Sequence, residues 1–274
     1  MTDFSRYIIA TDMDGTFLNE QGGFVARSMA AVERFRAGGG LFTFSTGRVH
    51  LNIRSAVGDP AKILNAPCVM SNGAYLYDFS QNRAMAESIM AERDVKELVD
   101  VIRQSYSHIG FRASTVDALR VTRTDGLLAR DLTRYDEGAV QVSPIETWPT
   151  DDWYKIVFRA EEDEILRMRG ELSARFGDRF SYTASGAKFL EVQGPDVNKA
   201  TGLAKLRRTC GGDRVLIACG DYENDIEMLQ AADIAICPEN AMPRVKQIAR
   251  HVLCHCNDGL IADVIERLER GETV

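Results

Sequence analysis

Tyr7-Ile8-Ile9-Ala10-Thr11-Asp12-Met13-Asp14-Gly15-Thr16 opens on four apolar residues and then presents two aspartates one residue apart. An apolar run this short, without polar alternation, reads as a strand buried on both faces, as in the middle of a parallel sheet. In extended chain, side chains at spacing two point the same way. An aspartate just past a buried strand is costly unless it is paired or bound to a cation, and two so close repel each other. The plain alternative is an Asp-Gly surface turn.

Downstream, Val25, Met29, Val32 and Phe35 recur at helical spacing, and Gly38-Gly39-Gly40 ends that helix. Residues 41–44 read as a second strand leading into Ser45-Thr46-Gly47-Arg48, with a helix expected over about 49–57. A third strand at 68–71 meets Asn72-Gly73, a tight-turn signal, before Tyr75-Leu76-Tyr77. Beyond residue 79 the pattern changes. Strand-like runs at 109–113, 119–122, 154–159, 180–183 and 189–192 come in pairs, with helices at about 91–107 and 161–176. Paired strands suggest an antiparallel sheet covered by helices. After Gly194-Pro195 the strand–helix alternation resumes: a helix at 199–208, a strand at 215–219, a helix at 224–231, a short strand at 234–236, and helices starting near Met242 and Asp258. The fold class read from this is α/β: a doubly wound, mostly parallel sheet in residues 1–80 and 193–274, interrupted by an inserted α+β domain over 81–192.

The 274 residues are 45% apolar and 27% charged, the composition of a globular protein with an adequate core. A net charge of −7 disfavours nucleic acid and acidic membranes as partners. It also repels a phosphate ester, so an anionic substrate needs local positive charge. No secretory signal is read at the start, and no run approaches the ~18 apolar residues of a membrane span. The six cysteines lie mostly in apolar surroundings and read as buried reduced thiols, which points to the cytoplasm. Cys254-His255-Cys256 has no second ligand pair at zinc spacing.

Three further stretches carry chemistry. In Gly220-Asp221-Tyr222-Glu223-Asn224-Asp225, Asp221, Asn224 and Asp225 share a face if a helix starts there. Oxygen-only ligands suit magnesium better than zinc; a helix N-cap with acidic first-turn residues is the plain alternative. Thr46-Gly47-Arg48, between a strand and a helix, offers a hydroxyl and amides to a phosphate oxygen, or is simply a helix cap. Lys199 taken alone is an ordinary solvated helix residue, and Asn72-Gly73 alone is a turn.

The order of these stations, each at a strand end or helix start, resembles the haloacid dehalogenase (HAD) superfamily. Asp12 to Thr16 is similar to its first motif, Thr46 to its second, Lys199 to its third and Gly220 to Asp225 to its fourth. The long gap from Thr46 to Lys199 leaves room for a cap. With Ser71-Asn72-Gly73-Ala74, Pro238-Glu239-Asn240-Ala241 and Asn257-Asp258-Gly259, it resembles the Cof-type branch of bacterial phosphatases. The resemblance implies Asp12 as nucleophile, forming an aspartyl-phosphate, and Asp14 as acid then base. Thr46 and Lys199 would hold phosphoryl oxygens, with Gly47, Arg48, Asn72 and Asn224 as further substrate contacts. Magnesium would be held by Asp12, the Asp14 main-chain carbonyl and Asp221, supported by Asn224 and Asp225. The second aspartate favours phosphoryl transfer over dehalogenation, because an alkoxide leaves poorly unless protonated. The expected activity is magnesium-dependent hydrolysis of small phosphate monoesters such as sugar phosphates. A hexose phosphomutase-type phosphotransferase and a non-catalytic metabolite-binding protein are the alternatives. Substrate choice is expected within residues 81–192, with Arg123, Arg130 and Lys188 as candidates. No protein partner is indicated.

Overall fold

A computed structural model describes residues 2–115, 117–124, 126–133, 135, 138–183 and 186–272. Its strands are β1 (Tyr7–Thr11), β2 (Leu41–Phe44), β3 (Cys68–Met70), β4 (Tyr75–Asp78), β5 (Arg83–Met85), β6 (Gly110–Thr115), β7 (Leu119–Val121), β8 (Val140–Val142), β9 (Trp153–Arg159), β10 (Ser181–Thr183), β11 (Phe189–Gln193), β12 (Val215–Cys219), β13 (Ile234–Pro238) and β14 (His251–Leu253). The chain divides into two compact units. One comprises Met1–Arg48, Ala56–Ala86 and Asn198–Val274; the other comprises Val49–Ser55 and Glu87–Val197. The first division falls after residue 86, later than residue 80, because β5 pairs with β4 and so stays with the first unit; the second falls after Val197.

The first unit is built on a parallel sheet in the order β14-β13-β12-β1-β2. β1 sits between β12 and β2, which is why its apolar run needs no polar alternation. On one face Ile8, Ala10, Leu216 and Ala218 pack with Leu203 and Leu206 of the helix Lys199–Cys210 and with Met228 and Leu229 of Ile226–Ala231. The helices Ala26–Ala37 and Leu260–Glu269 pack together, braced by Arg27–Glu266 and Arg34–Glu269 ion pairs. The third strand, β3, does not extend the parallel ladder. It forms an antiparallel sheet with β4 and β5 and touches the main sheet through one bridge, Ser45 to Val69.

The second unit is a six-stranded sheet, β10-β11-β9-β6-β7-β8, antiparallel except for the β7–β8 pair. The helices Glu92–Ser105 and Glu162–Phe176 bury Val95, Leu98, Ile102, Ile165, Met168 and Leu172 in one core with Phe111, Ile156, Phe158 and Leu190. Successive strand residues alternate faces, so Lys155 and Glu191 lie off that core. They form a 2.8 Å ion pair that is nearly fully buried. The helix expected over 49–57 is instead a 3₁₀ turn at His50–Asn52 followed by one helical turn at Arg54–Val57. The Val49 N–H donates to Asn52 Oδ1, and this local bond competes with a continuous helix.

Candidate active site

The parallel register brings the sequence stations together. Thr11, the last residue of β1, pairs with Cys219 of β12 and with Phe44 of β2. The residues just beyond, Asp12, Gly220-Asp221 and Ser45-Thr46, therefore leave the sheet at one level, at the carboxyl ends of adjacent strands, where open α/β sheets place their ligand sites. The Asp12 N–H donates to Cys219 O at 2.8 Å and the Ser45 N–H to Thr11 O at 2.9 Å, extending the ladder to the site's edge.

Lys199 occupies the first helical position after Asn198. The Asn198 side chain accepts from the Thr201 N–H at 2.9 Å, and Thr201 Oγ1 accepts from the Asn198 N–H at 3.2 Å. This cap fixes where the helix starts. Lys199 is no solvated helix residue: it is fully buried, and its Nζ donates to Asp12 Oδ1 and Asp225 Oδ1, each at 2.5 Å. The other oxygen of Asp225 accepts the N–H groups of Asp221 and Tyr222 at 2.9 and 3.0 Å. Asp225 therefore anchors the Gly220–Asp225 loop as well as the lysine.

Asp221 is turned toward the Asp12 loop, where Thr16 Oγ1 donates to its Oδ1 at 2.5 Å. Thr16 is held by the residue after it. Phe17 is buried against Phe42 and Phe44 of β2, with ring centroids 5.5 and 5.1 Å away. Gly15 takes φ +83°, and a Cβ there would lie 2.8 Å from Asp221 Oδ2, so this turn requires glycine. Asn240 donates to Gly15 O at 2.7 Å and accepts from the Cys256 N–H at 3.0 Å, tying the turn to the C-terminal part of the unit. Thr16 and Asn240 lie inside these motifs, yet their sequence context alone assigns them no role. A hydroxyl one residue past Asp-x-Asp-Gly was the available signal for Thr16. Asn240 had no local signal, because its partners are 225 and 16 residues away.

The remaining predicted residues line the neighbouring loops. Thr46 is buried, and its N–H is spent on Val69 O. Its Oγ1 accepts from the Arg48 N–H at 3.1 Å, so the hydroxyl proton is what Thr46 can offer a ligand. Asn72 Oδ1 accepts from Asn224 Nδ2 at 3.2 Å and would lie 3.0 Å from a Cβ on Gly47, so Gly47, Asn72 and Asn224 meet. Asn72-Gly73 belongs to a 3₁₀ turn, Ser71–Gly73, in which all three residues have positive φ. The Asp14 carboxylate does not join the acidic cluster; it is gripped by Arg48, Nε to Oδ2 at 2.8 Å and Nη2 to Oδ1 at 2.7 Å. In the second unit, Lys188 pairs with Glu161 at 2.6 Å and Arg123 donates to His108 O, while the Arg130 side chain lies outside the described residues.

Charge is poorly balanced at this site. Burial pushes the Asp12 carboxyl well above the usual range; Lys199 opposes this, and Asp225, Asp221 and Asp14 add to it. Burial, with Asp225 nearby, pushes Asp221 up to about 7. Lys199 keeps its charge, because Asp12 and Asp225 together outweigh the burial that opposes it. One ammonium thus faces three carboxylates, and oxygens of Asp12, Asp221 and Asp225 lie within 4.8 Å of one another. An oxygen-only set with uncompensated negative charge fits a hard divalent cation of the magnesium type.

A doubly wound sheet with a buried lysine and an acidic cluster at its strand ends is an arrangement suited to phosphoryl transfer. The sequence pattern of the haloacid dehalogenase-like hydrolases matches residues 9–265, and the chain belongs to that family. It is 28% identical over 247 residues to 5-amino-6-(5-phospho-D-ribitylamino)uracil phosphatase YitU of Bacillus subtilis, covering 89% of this chain and 90% of that one. It is 27% identical over 265 residues to the HMP-PP phosphatase of Escherichia fergusonii, covering 93% of each. A HAD/COF-like hydrolase structure from Plasmodium vivax superposes with a TM-score of 0.84 at 20% identity, over 97% of this chain and 96% of that one. The Cof-type resemblance and the fold class are borne out. No helix among the described residues is long and apolar enough to cross a membrane.

Proposed function

We propose that this enzyme is a magnesium-dependent phosphatase of small phosphate monoesters, sugar phosphates among them, acting through an aspartyl-phosphate on Asp12. The observation that carries the reading is Lys199, buried and bonded to both Asp12 and Asp225 beside Asp221. The lysine lowers the electrostatic cost of bringing a phosphate dianion to a carboxylate. Asp12, Asp221 and the Asp14 carbonyl would hold magnesium, with Asp225 and Asn224 in support; bound there, the cation offsets charge on the phosphoryl oxygens. An oxygen of Asp12 attacks phosphorus in line, and the leaving alkoxide takes a proton from Asp14. Asp14 then accepts a proton from the water that hydrolyses the intermediate. The Thr46 hydroxyl and Lys199 hold the phosphoryl oxygens, while Gly47, Asn72 and Asn224 shape the adjoining wall. Residues 81–192 select the leaving group.

The names of the relatives support phosphorylated small molecules as substrates: a ribitylaminouracil phosphate for one and HMP-PP for the other. Six unpaired thiols suit a reducing cytoplasm. The test is phosphate release from a panel of phosphorylated metabolites with magnesium, ranked by kcat/KM. Release from sugar phosphates that chelation abolishes is expected. Isomerised hexose phosphate without free phosphate would make the enzyme a mutase, and activity surviving thorough chelation would refute the metal role.

A further inference from the structure

The contact between Arg48 and Asp14 is unequal. The Arg48 side chain is 15% exposed and that of Asp14 is 55% exposed. The Arg48 backbone is fixed at both ends: its N–H donates to Thr46 Oγ1 at 3.1 Å, and its carbonyl accepts from the Ser71 N–H at 2.8 Å. The arginine is therefore the anchored member of the pair and the aspartate the one being held. Two parallel N–H···O bonds, at 2.8 and 2.7 Å, fix the plane of the carboxylate as well as its place. A half-exposed ion pair adds little to stability, so the consequence of this one is orientation. A solvent-facing aspartate without such a fork exchanges between staggered rotamers.

We infer that Arg48 is a positioning residue, which holds Asp14 as the base of the hydrolytic half-reaction. The inference rests on the aspartyl-phosphate reading above. In that half-reaction a water oxygen bonds to phosphorus while its proton passes to an Asp14 oxygen. The bond from phosphorus to the Asp12 oxygen breaks, its electron pair returns to Asp12, and inorganic phosphate leaves. An arginine fork fixes the direction in which the carboxylate oxygens point, which is what proton transfer from a positioned water requires. The role differs from the direct phosphate contact expected of Arg48 from sequence, and the two make opposite kinetic predictions.

p-Nitrophenyl phosphate separates them, because its leaving group departs without a proton and the first half-reaction then needs no acid. With the full chain and magnesium, rapid mixing of Arg48→Ala should give a burst of about one p-nitrophenolate per active site. Steady-state turnover should follow, slower than wild type by about 10- to 100-fold, with KM lowered. Arg48→Lys keeps the charge but loses the fork; it should show the same burst with a smaller loss, and it serves if the alanine variant folds poorly. A loss of the burst with KM and the inhibition constant of inorganic phosphate both raised tenfold would make Arg48 a phosphate ligand and overturn the inference. Unchanged kinetics would overturn it equally. Asp12→Asn distinguishes the underlying reading: if it still turns over, the aspartyl-phosphate route fails, whereas an inert Asp12→Asn beside a burst-free Arg48→Ala defeats only the role given to Arg48.

Discussion

Replacing Asp221 by asparagine should make the metal-free protein more stable at alkaline pH. The carboxyl titrates at 3.8 unfolded and is pushed up to about 7 in the fold. A tenfold change in proton affinity is worth about 1.4 kcal/mol, so holding this group ionised in the folded state costs about 4 kcal/mol. Because the folded state binds the proton more tightly, stability is highest below pH 3.8 and is lost as pH rises to about 7. Asparagine is nearly isosteric, and its carbonyl can still accept from Thr16 Oγ1. At pH 8 in EDTA, the variant should be more stable than wild type by about 2–4 kcal/mol, the lower figure allowing for the charges shared with Asp12 and Asp225. The gain should vanish by pH 4. Magnesium should close the gap by stabilising wild type; at a hundredfold excess over Kd that is worth about 2.7 kcal/mol, and the variant should respond little. Urea unfolding by circular dichroism across pH, with and without magnesium, measures all of this. A variant less stable than wild type at pH 8 in EDTA, or one stabilised equally by magnesium, would refute the reasoning.

Asp12→Asn should abolish phosphate release while moving the thermal midpoint little, and unchanged turnover would remove Asp12 as nucleophile. The Lys155–Glu191 ion pair gives a stability test at a buried charge pair of the second unit. Lys155→Met alone removes the cation from a buried ion pair and should cost about 3–5 kcal/mol, whereas Lys155→Met with Glu191→Met should recover part of that loss; chemical denaturation of the three proteins reads the difference. Gly73 has φ +97°, and a Cβ there would lie 2.0 Å from Asn198 O. Gly73→Ala must therefore displace the chain just before Lys199, and should cost about 3 kcal/mol or more in stability together with most of the activity.

Much of the first unit is legible because β1, β2 and β12 are short apolar runs that give way at once to polar or glycine-led stretches. Asp12, Asp221 and Thr46 could be placed at strand ends from that pattern, and Lys199 from its position at a helix start. Three-residue strands such as β5, β8 and β14 were not read, being too short for an alternating pattern to stand out. Nor could composition tell that Val49–Ser55 packs with the second unit, since an amphipathic stretch does not name its partner. The grip of Arg48 on Asp14 and the bridge made by Asn240 arise from turns that bring distant residues together, and no local spacing encodes them.

Lys199 stands 187 residues beyond the aspartate it touches, and β1 pairs with a strand that begins at Val215. During synthesis, β1 and β2 leave the ribosome with one side of the nascent sheet bare, and they wait in that state until the third segment of their unit is translated. Residues 87–197 form a contiguous stretch with its own core and can fold in the interval. Premature termination after the middle stretch but before the last parallel strands would thus release a folded middle attached to a sticky, unclosed sheet edge, so surveillance of truncated products has a ready hydrophobic flag to act on.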